Sequence, residues 1–287
     1  VQTLTGDVTD IAAVRAAMQG IEAVIHMAAL LHVENPPQAL QDQYERINVG
    51  GTATVVAAAI QAGVRRVVIF STVAVYGQSH GRILTEDTPP CPDTFYARTK
   101  LAAEKIVLEA KDAHGRPIGT VLRLGAVYGS KMKGNYRRLV HALAKGRFIP
   151  VGKGFNRRTL VYDKDVAHAA VLAAIHPDAG GRIYNVTDGQ FHTMKVIIET
   201  LCGALGRRSP RLILPAGPVR FLAGFLEDCA RICSLRSPVV RATVDKYMED
   251  MAVDGRRFCT QIGFVPQYDL ATGWQKAVTE MRRSGEI

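Results

Sequence analysis

Short, almost wholly apolar runs alternate with helical segments over the first two thirds of the chain, and this restricts the fold more than any other feature. The runs are Ala23–Ile25, Val64–Ser71, Gly119–Leu124 and Gly181–Val186. Between them lie helical patterns at Ile11–Gln19, Asn48–Ala62, Phe95–Ala113 and Asp165–Ile175, the first two closed by Gly20 and Gly63. A strand apolar on both sides needs cover on both faces, so the expected fold is α/β with a doubly wound parallel sheet. Strand ends at Ile25–Ala28, Phe70–Thr72 and Leu124–Gly125 then share the carboxyl edge, where ligands of such sheets bind.

The remainder is less regular. It holds helical patterns at Tyr136–Lys145, Met194–Leu205 and Thr272–Arg283, and an apolar region Leu212–Leu235 interrupted by Pro215, Gly217 and Pro218. Such a mixture fits a smaller second domain. With 287 residues, 22% charged and 47% hydrophobic, the chain has a globular composition rather than a disordered one. Its net charge of +10 suits an anionic partner. Five widely spaced cysteines make no disulfide framework, and Cys229 with Cys233 lacks a second pair for a zinc site, so no metal is expected. No apolar run reaches the ~18 residues of a membrane span. The start VQTLTGDVTD lacks a signal-peptide pattern, and the expected location is cytoplasmic.

One constellation carries chemistry. Tyr96 and Lys100 stand four apart in Y-A-R-T-K, on one face of a helical pattern. A tyrosine titrates near 10, and a neighbouring ammonium favours its phenolate. Such a pair can take a proton from a hydroxyl or return it to a carbonyl oxygen. Ser71 and Thr72 place hydroxyls at the end of the preceding strand, where one can share the substrate oxygen.

These residues resemble the Ser/Thr–Tyr–Lys triad of the NAD-dependent epimerase/dehydratase family, the extended short-chain dehydrogenases/reductases. The family's hydroxyl lies three positions before the valine of V-Y-G, which selects Thr72. Further matches are G-D-V at Gly6–Val8, H-M-A-A at His26–Ala29, N-V-G-G-T at Asn48–Thr52 and L-R-L-G-A-V-Y-G at Leu122–Gly129. R-R-T-L-V-Y-D-K-D at Arg157–Asp165, Y-N-V at Tyr184–Val186 and I-G-F-V-P at Ile262–Pro266 extend the likeness over nearly the whole chain.

The resemblance implies a Rossmann-type sheet with a smaller C-terminal substrate domain. Residues 1–129 would form the dinucleotide-binding domain, with 156–186 returning to it. Residues 130–155 and 187–287 would mainly form the substrate domain and closing helix. It implies NAD as cofactor, with Asp7 and Val8 beside the adenine and Ala28 and Ala29 under the nicotinamide-side ribose and phosphates. Asn48, Ser71, Tyr96 and Lys100 complete the cofactor set. The strand whose end separates NAD from NADP is not in the sequence, which leaves NADP open. No glycine-rich strand–turn–helix precedes the first helical pattern either, and the expectation is that the sequence represents part of a longer polypeptide.

Nine Lys or Arg lie between Lys131 and Arg158, without an interleaved aromatic platform, so a nucleotide diphosphate is favoured over nucleic acid. In the family, the residues matching Arg158 and Asn135 hold the diphosphate of a nucleotide sugar. K-G-N-Y with N-R-R resembles the branch acting on UDP-hexoses and UDP-N-acetylhexosamines through a transient 4-keto sugar. Arg256 or Arg257 would be a second arginine. The plainer reading makes Arg158 a partner of Asp163 or Asp165. Val73 and Ala74 stand where dehydratases of the family carry Asp-Glu, which disfavours sugar dehydration. Ala126 stands where many UDP-hexose epimerases have Asn, which is compatible with another nucleotide sugar, a 4-keto-sugar reductase or a 3β-hydroxysteroid dehydrogenase-like enzyme. Because some members of the family keep the fold without catalysis, a non-catalytic nucleotide-binding module is a further alternative. The resemblance also implies a homodimer packed through the helices of Pro37–Ala62 and Phe95–Ala113.

Overall fold

The structure is a computed structural model, and it describes residues 2–31, 36–232 and 241–287. Helix α1 (Ile11–Ala17) starts where the Asp10 carboxylate accepts the N–H groups of Ala12 and Ala13, and leads into β1 (Ala23–His26). Helix α2 (Gln38–Tyr44) runs through a π-helical turn, Glu45–Gly50, into α3 (Gly51–Gln61). Then follow β2 (Arg66–Thr72), the short β3 (Ile83–Leu84), α4 (Phe95–Glu109), β4 (Gly119–Leu124), β5 (Ala126–Tyr128) and α5 (Asn135–Ala144). Next come β6 (Arg157–Arg158), β7 (Leu160–Tyr162), α6 (Asp163–Ile175), β8 (Arg182–Val186), β9 (His192–Thr193) and α7 (Met194–Leu205). Helices α8 (Ala216–Ile232) and α9 (Arg241–Met248), strand β10 (Ala252–Val253), α10 (Arg256–Ile262) and α11 (Leu270–Arg283) complete the chain.

Strands β1, β2, β4 and β8 form one parallel sheet in the order β1-β2-β4-β8. Its residues alternate between two cores, as strand geometry requires. Val67 and Ile69 of β2 and Val121 of β4 face α1, α3 and α4 through Val14, Val55, Ala59, Ala103 and Val107. Val68, Leu122 and Leu124 face the other side, among Val166, Ala169 and Ala173 of α6 and Phe258 of α10. The sheet is thus doubly wound, as expected. Helix α4 lies unusually close to β4: a Cβ on Gly119 would stand 1.8 Å from the Val107 carbonyl oxygen. Only glycine allows that approach.

A second core joins α5, α7 and α11 to the parallel pair β5–β7. Trp274 of α11 stacks on Tyr128 with ring centroids 4.4 Å apart. Helix α10 packs back on the sheet, so the C-terminal stretch serves both cores.

Several boundaries differ from the sequence expectation. The pattern Asn48–Ala62 begins earlier, in the π-helical turn. Helix α4 stops at Glu109, because Ala110 turns extended and the Asp112 carboxylate organises the next turn through His114 and Arg116. The region Leu212–Leu235 becomes helical only after Pro215, at Ala216; its expected end, with Cys233, lies outside the described residues. No helix among the described residues is long and apolar enough to cross a membrane. No group of three or more potential metal-ligating side chains occurs among them.

Candidate active site

Helix α4 begins where the Thr94 hydroxyl accepts the Ala97 N–H, 3.2 Å. This start puts Tyr96 in the first turn and Lys100 one turn later, with α4 packed on β2 and β4. Thr72 is the last residue of β2. It is half-buried, and its Oγ1 accepts the Ala74 N–H at 3.2 Å, turning the chain away from the sheet.

Lys100 is 4% exposed and has no hydrogen bond or ion pair among the described residues. Burial pulls its pKa down to about 8, against the favourable field of Glu104. Tyr96 stands edge-on to the ring of Tyr44, 6.3 Å between centroids. Its phenol is pushed up to about 12, by burial first and by Tyr44 second. This corrects the sequence expectation of a lowered phenol pKa. That argument counted the lysine's charge and missed the desolvation of both groups.

His26, at the end of β1, is the next titratable group. It is 5% exposed, and burial, then the charge of Lys100, holds its pKa down to about 4. Its Nε2 lies 3.1 Å from Thr52 Oγ1, whose own proton goes to the Asn48 carbonyl at 2.6 Å. The neutral ring must therefore donate through Nε2.

Asn48 sits in the π-helical turn and is 1% exposed. Its Oδ1 accepts the Leu30 N–H at 2.8 Å, and its Nδ2 donates to Thr99 Oγ1 at 3.2 Å. Thr99 in turn donates to the Tyr96 carbonyl at 2.9 Å. Asn48 thus ties the segment after β1 to the turn that carries Tyr96. Among the other expected cofactor residues, Ala28 is exposed and Ala29 half-buried, just beyond β1. Asp7 is exposed, and hydrogen bonds from Thr9 hold its carboxyl below the usual range. Val8 packs on α3, where a Cβ on Gly51 would come within 2.8 Å of it.

Ser71 has a different engagement. Its hydroxyl donates to Glu104, one turn beyond Lys100 on α4. Arg123 of β4 binds the same carboxylate through Nε at 3.0 Å and Nη2 at 2.6 Å. The two charged side chains are 2% and 1% exposed. The guanidinium lies 4.7 Å over the Tyr76 ring, and the Tyr76 hydroxyl donates to Asn185 Oδ1 at 2.8 Å. The sequence reading missed this network. Its one legible signal was the continuation of Tyr96 and Lys100 to Glu104 on the same helix face.

The substrate candidates lie farther along. Asn135 is exposed as the first residue of α5, after Gly134 at φ +78°. Arg158 is near enough to α5 to act electrostatically on Tyr136. Arg158 pairs with Glu249 at 3.2 Å and also donates to the Tyr247 carbonyl at 3.2 Å. Its expected alternative partners were Asp163 and Asp165. Neither pairs with it: Asp165 is taken by the N–H groups of Gln267 and Tyr268. Arg256 pairs with Asp254, and Arg257 with Asp87 and Glu86.

A cavity of about 880 Å³ opens between the start of α4, the loop after Tyr76 and helices α8 and α9. Phe95, Arg98, Gln78, Arg220, Lys246 and Glu249 are among its lining residues. The wall includes Thr94 and Phe95, immediately before Tyr96, and Glu249, the partner of Arg158.

Comparison with known proteins gives this arrangement a context. The chain is 28% identical over 279 residues to the N-acetyl-alpha-D-glucosaminyl-diphospho-ditrans,octacis-undecaprenol 4-epimerase of Escherichia coli O157:H7, covering 96% of this chain and 82% of that protein. It is 28% identical over 232 residues to a 3 beta-hydroxysteroid dehydrogenase/Delta 5-->4-isomerase of Mycobacterium tuberculosis, covering 77% and 62%. Among solved structures, MoeE5 in complex with UDP-glucose and NAD superposes with a TM-score of 0.73 at 27% identity, covering 98% of this chain and 85% of that one. The family profile matches residues 1–187, the span that holds Thr72, Tyr96 and Lys100. With the sheet, the helix-borne tyrosine and lysine and the strand-end threonine in place, the chain belongs to the NAD dependent epimerase/dehydratase family.

Proposed function

We propose that the protein inverts C4 of a diphosphate-linked sugar, a UDP-hexose or UDP-N-acetylhexosamine, through a transient 4-keto sugar. The carrying observation is the placement of Tyr96 and Lys100 on successive turns of a helix packed against the strand that ends in Thr72. Val73 and Ala74 follow that threonine and offer no acid or base for removing water, which favours epimerisation over dehydration.

The residues around Lys100 fit the nicotinamide end of a dinucleotide. A buried ammonium without a partner among the described residues suits ribose hydroxyls, and the side chains of Ala28 and Ala29 end at Cβ where a ligand would cross the strand end. Lys100 and the Ala28–Ala29 segment would hold NAD there, and the chemistry it would supply is reversible hydride exchange with C4. Tyr96 takes the C4 hydroxyl proton and returns it. With its phenol at about 12, that role needs the Lys100 cation set against it by the bound ligand. Thr72 shares the C4 oxygen and orients it. Asn135 and Arg158 hold the diphosphate.

Purified protein supplied with UDP-glucose or UDP-N-acetylglucosamine should give the C4 epimer without net change in nicotinamide absorbance. Tyr96→Phe should abolish turnover and leave nucleotide-sugar affinity within about twofold, since it removes one hydroxyl engaged in the proton transfer. Full turnover by this variant refutes the mechanism. A one-for-one absorbance change favours a net oxidoreductase.

A further inference from the structure

Helix α8 carries an apolar stripe that the fold does not cover. Phe221, Leu222, Phe225 and Leu226 are 79%, 57%, 58% and 39% exposed. They recur at one-turn spacing along one side of the helix. The inward side is already used: Ala223 is 2% exposed, and α8 packs on α9, with Arg220 bound to Asp245 at 2.6 Å. The stripe is therefore not a core face awaiting another element of the described chain.

The segment leading into α8 adds to the patch. Leu212 and Ile213 are 60% and 53% exposed. Leu214 pairs with Val151, which brings the loop around Ile149 alongside; Ile149 is 45% exposed. Cations flank these residues. Arg207, Arg208 and Arg211 precede Leu212, and Arg147 and Lys153 bracket the Ile149 loop. All five are exposed and pair with no carboxylate among the described residues. A neutral protein groove would match the apolar stripe but not the five cations around it. An anionic lipid surface matches both: apolar side chains enter the acyl boundary while Lys and Arg meet the headgroups.

We propose that α8, with the Leu212–Ile213 approach, is an interfacial helix that seats the protein on an anionic membrane surface. Arg220 lines the cavity beside Tyr96's helix and immediately precedes Phe221, so the seated protein would have its cavity bordering the lipid surface. Binding is read without turnover, so this inference stands apart from the proposed reaction.

The test is vesicle flotation of the full chain with phosphatidylcholine alone and with phosphatidylcholine containing phosphatidylglycerol. The anionic vesicles should carry the protein roughly tenfold or more better than the neutral ones at low salt, with binding weakened as salt rises. Phe221→Ser combined with Phe225→Ser should lower anionic-vesicle binding by roughly tenfold, with an unchanged circular dichroism spectrum. If that variant misfolds, the exposed single substitution Leu222→Glu supplies the same reading. Arg207→Gln, Arg208→Gln and Arg211→Gln together should remove most of the preference for anionic lipid. Failure of the wild type to float with anionic vesicles overturns the proposal. So does wild-type binding by folded stripe variants, or a stripe that proves to join two copies of the chain and has no effect on vesicles.

Discussion

Glu104 is the residue whose loss should cost the fold most for the smallest change in shape. Its carboxylate takes two well-formed bonds from Arg123, at 3.0 and 2.6 Å, and one from the Ser71 hydroxyl, in a site where both charged side chains are at most 2% exposed. Glu104→Gln keeps the volume and removes the charge. Arg123 is then a buried cation without a counterion, and the amide cannot accept on both sides. Breaking one partner of a buried pair costs about 3–5 kcal/mol. Replacing both charges, as Glu104→Leu with Arg123→Met, removes the stranded cation and should recover at least about 2 kcal/mol of the sum of the single losses. Urea unfolding followed by circular dichroism, with Trp274 fluorescence as a second probe, measures Glu104→Gln and the cycle made of Glu104→Leu, Arg123→Met and their combination. A single-variant loss below about 1 kcal/mol, or strictly additive losses, would refute the view that this pair joins α4 to the sheet.

Other consequences follow from the same geometry. His26 stays neutral to about pH 4 in the folded protein but titrates near 6.5 when unfolded, so unfolding takes up a proton between those values. Stability should fall by about 3 kcal/mol as pH drops from 6.5 to 4, and His26→Gln should lack that share of the slope in urea titrations at each pH. Arg158→Met should weaken nucleotide-sugar affinity roughly tenfold or more, the loss of a charged hydrogen bond. Folding should survive, because Glu249 keeps Lys246 at 2.8 Å, and unchanged affinity by calorimetry would exclude Arg158 from the diphosphate site. A homodimer joined through α2, α3 and α4 should give twice the chain mass by light scattering at micromolar concentration; a monomer there rejects that assembly.

The layered sheet was legible because its information is local. Gly119–Leu124 and Met194–Leu205 have the same bounds in sequence and structure, since a short β-rich run and a glycine-stopped amphipathic pattern leave little room for another register. The π-helical turn before Gly51 was not legible, because wider backbone bonding has no residue signature. Pairing of β3 with β10 was invisible for a different reason: Leu84 meets Val253 from a distant part of the chain, in strands too short to show periodicity. The same non-locality hid Glu249, and the sequence argument gave Arg158 the acids nearest along the chain. The positions of Tyr96 and Lys100 were readable from their spacing, but their proton affinities depended on burial.

The network also explains why Lys100 lacks an ion pair among the described residues. Glu104 lies one turn away on the same helix face, at a spacing from which a lysine and a glutamate can reach each other. Arg123 instead approaches from the sheet with a planar fork matching both carboxylate oxygens, and the Ser71 hydroxyl fills the remaining direction. The carboxylate is held away, within reach of Lys100 only as a field. Lys100 therefore carries a desolvation cost of about 3 kcal/mol, the size of a shift from 10.5 to about 8. The sign follows from linkage. Below pH 8 the full penalty is present in the folded state, and it fades as pH rises from 8 to 10.5, where the unfolded chain still holds the proton. A polyhydroxyl ligand set against the ammonium would offset part of that cost. The fold thus holds Lys100 where hydrogen bonds to a bound ligand are worth more than on an exposed lysine, and the Glu104–Arg123 pair keeps it so.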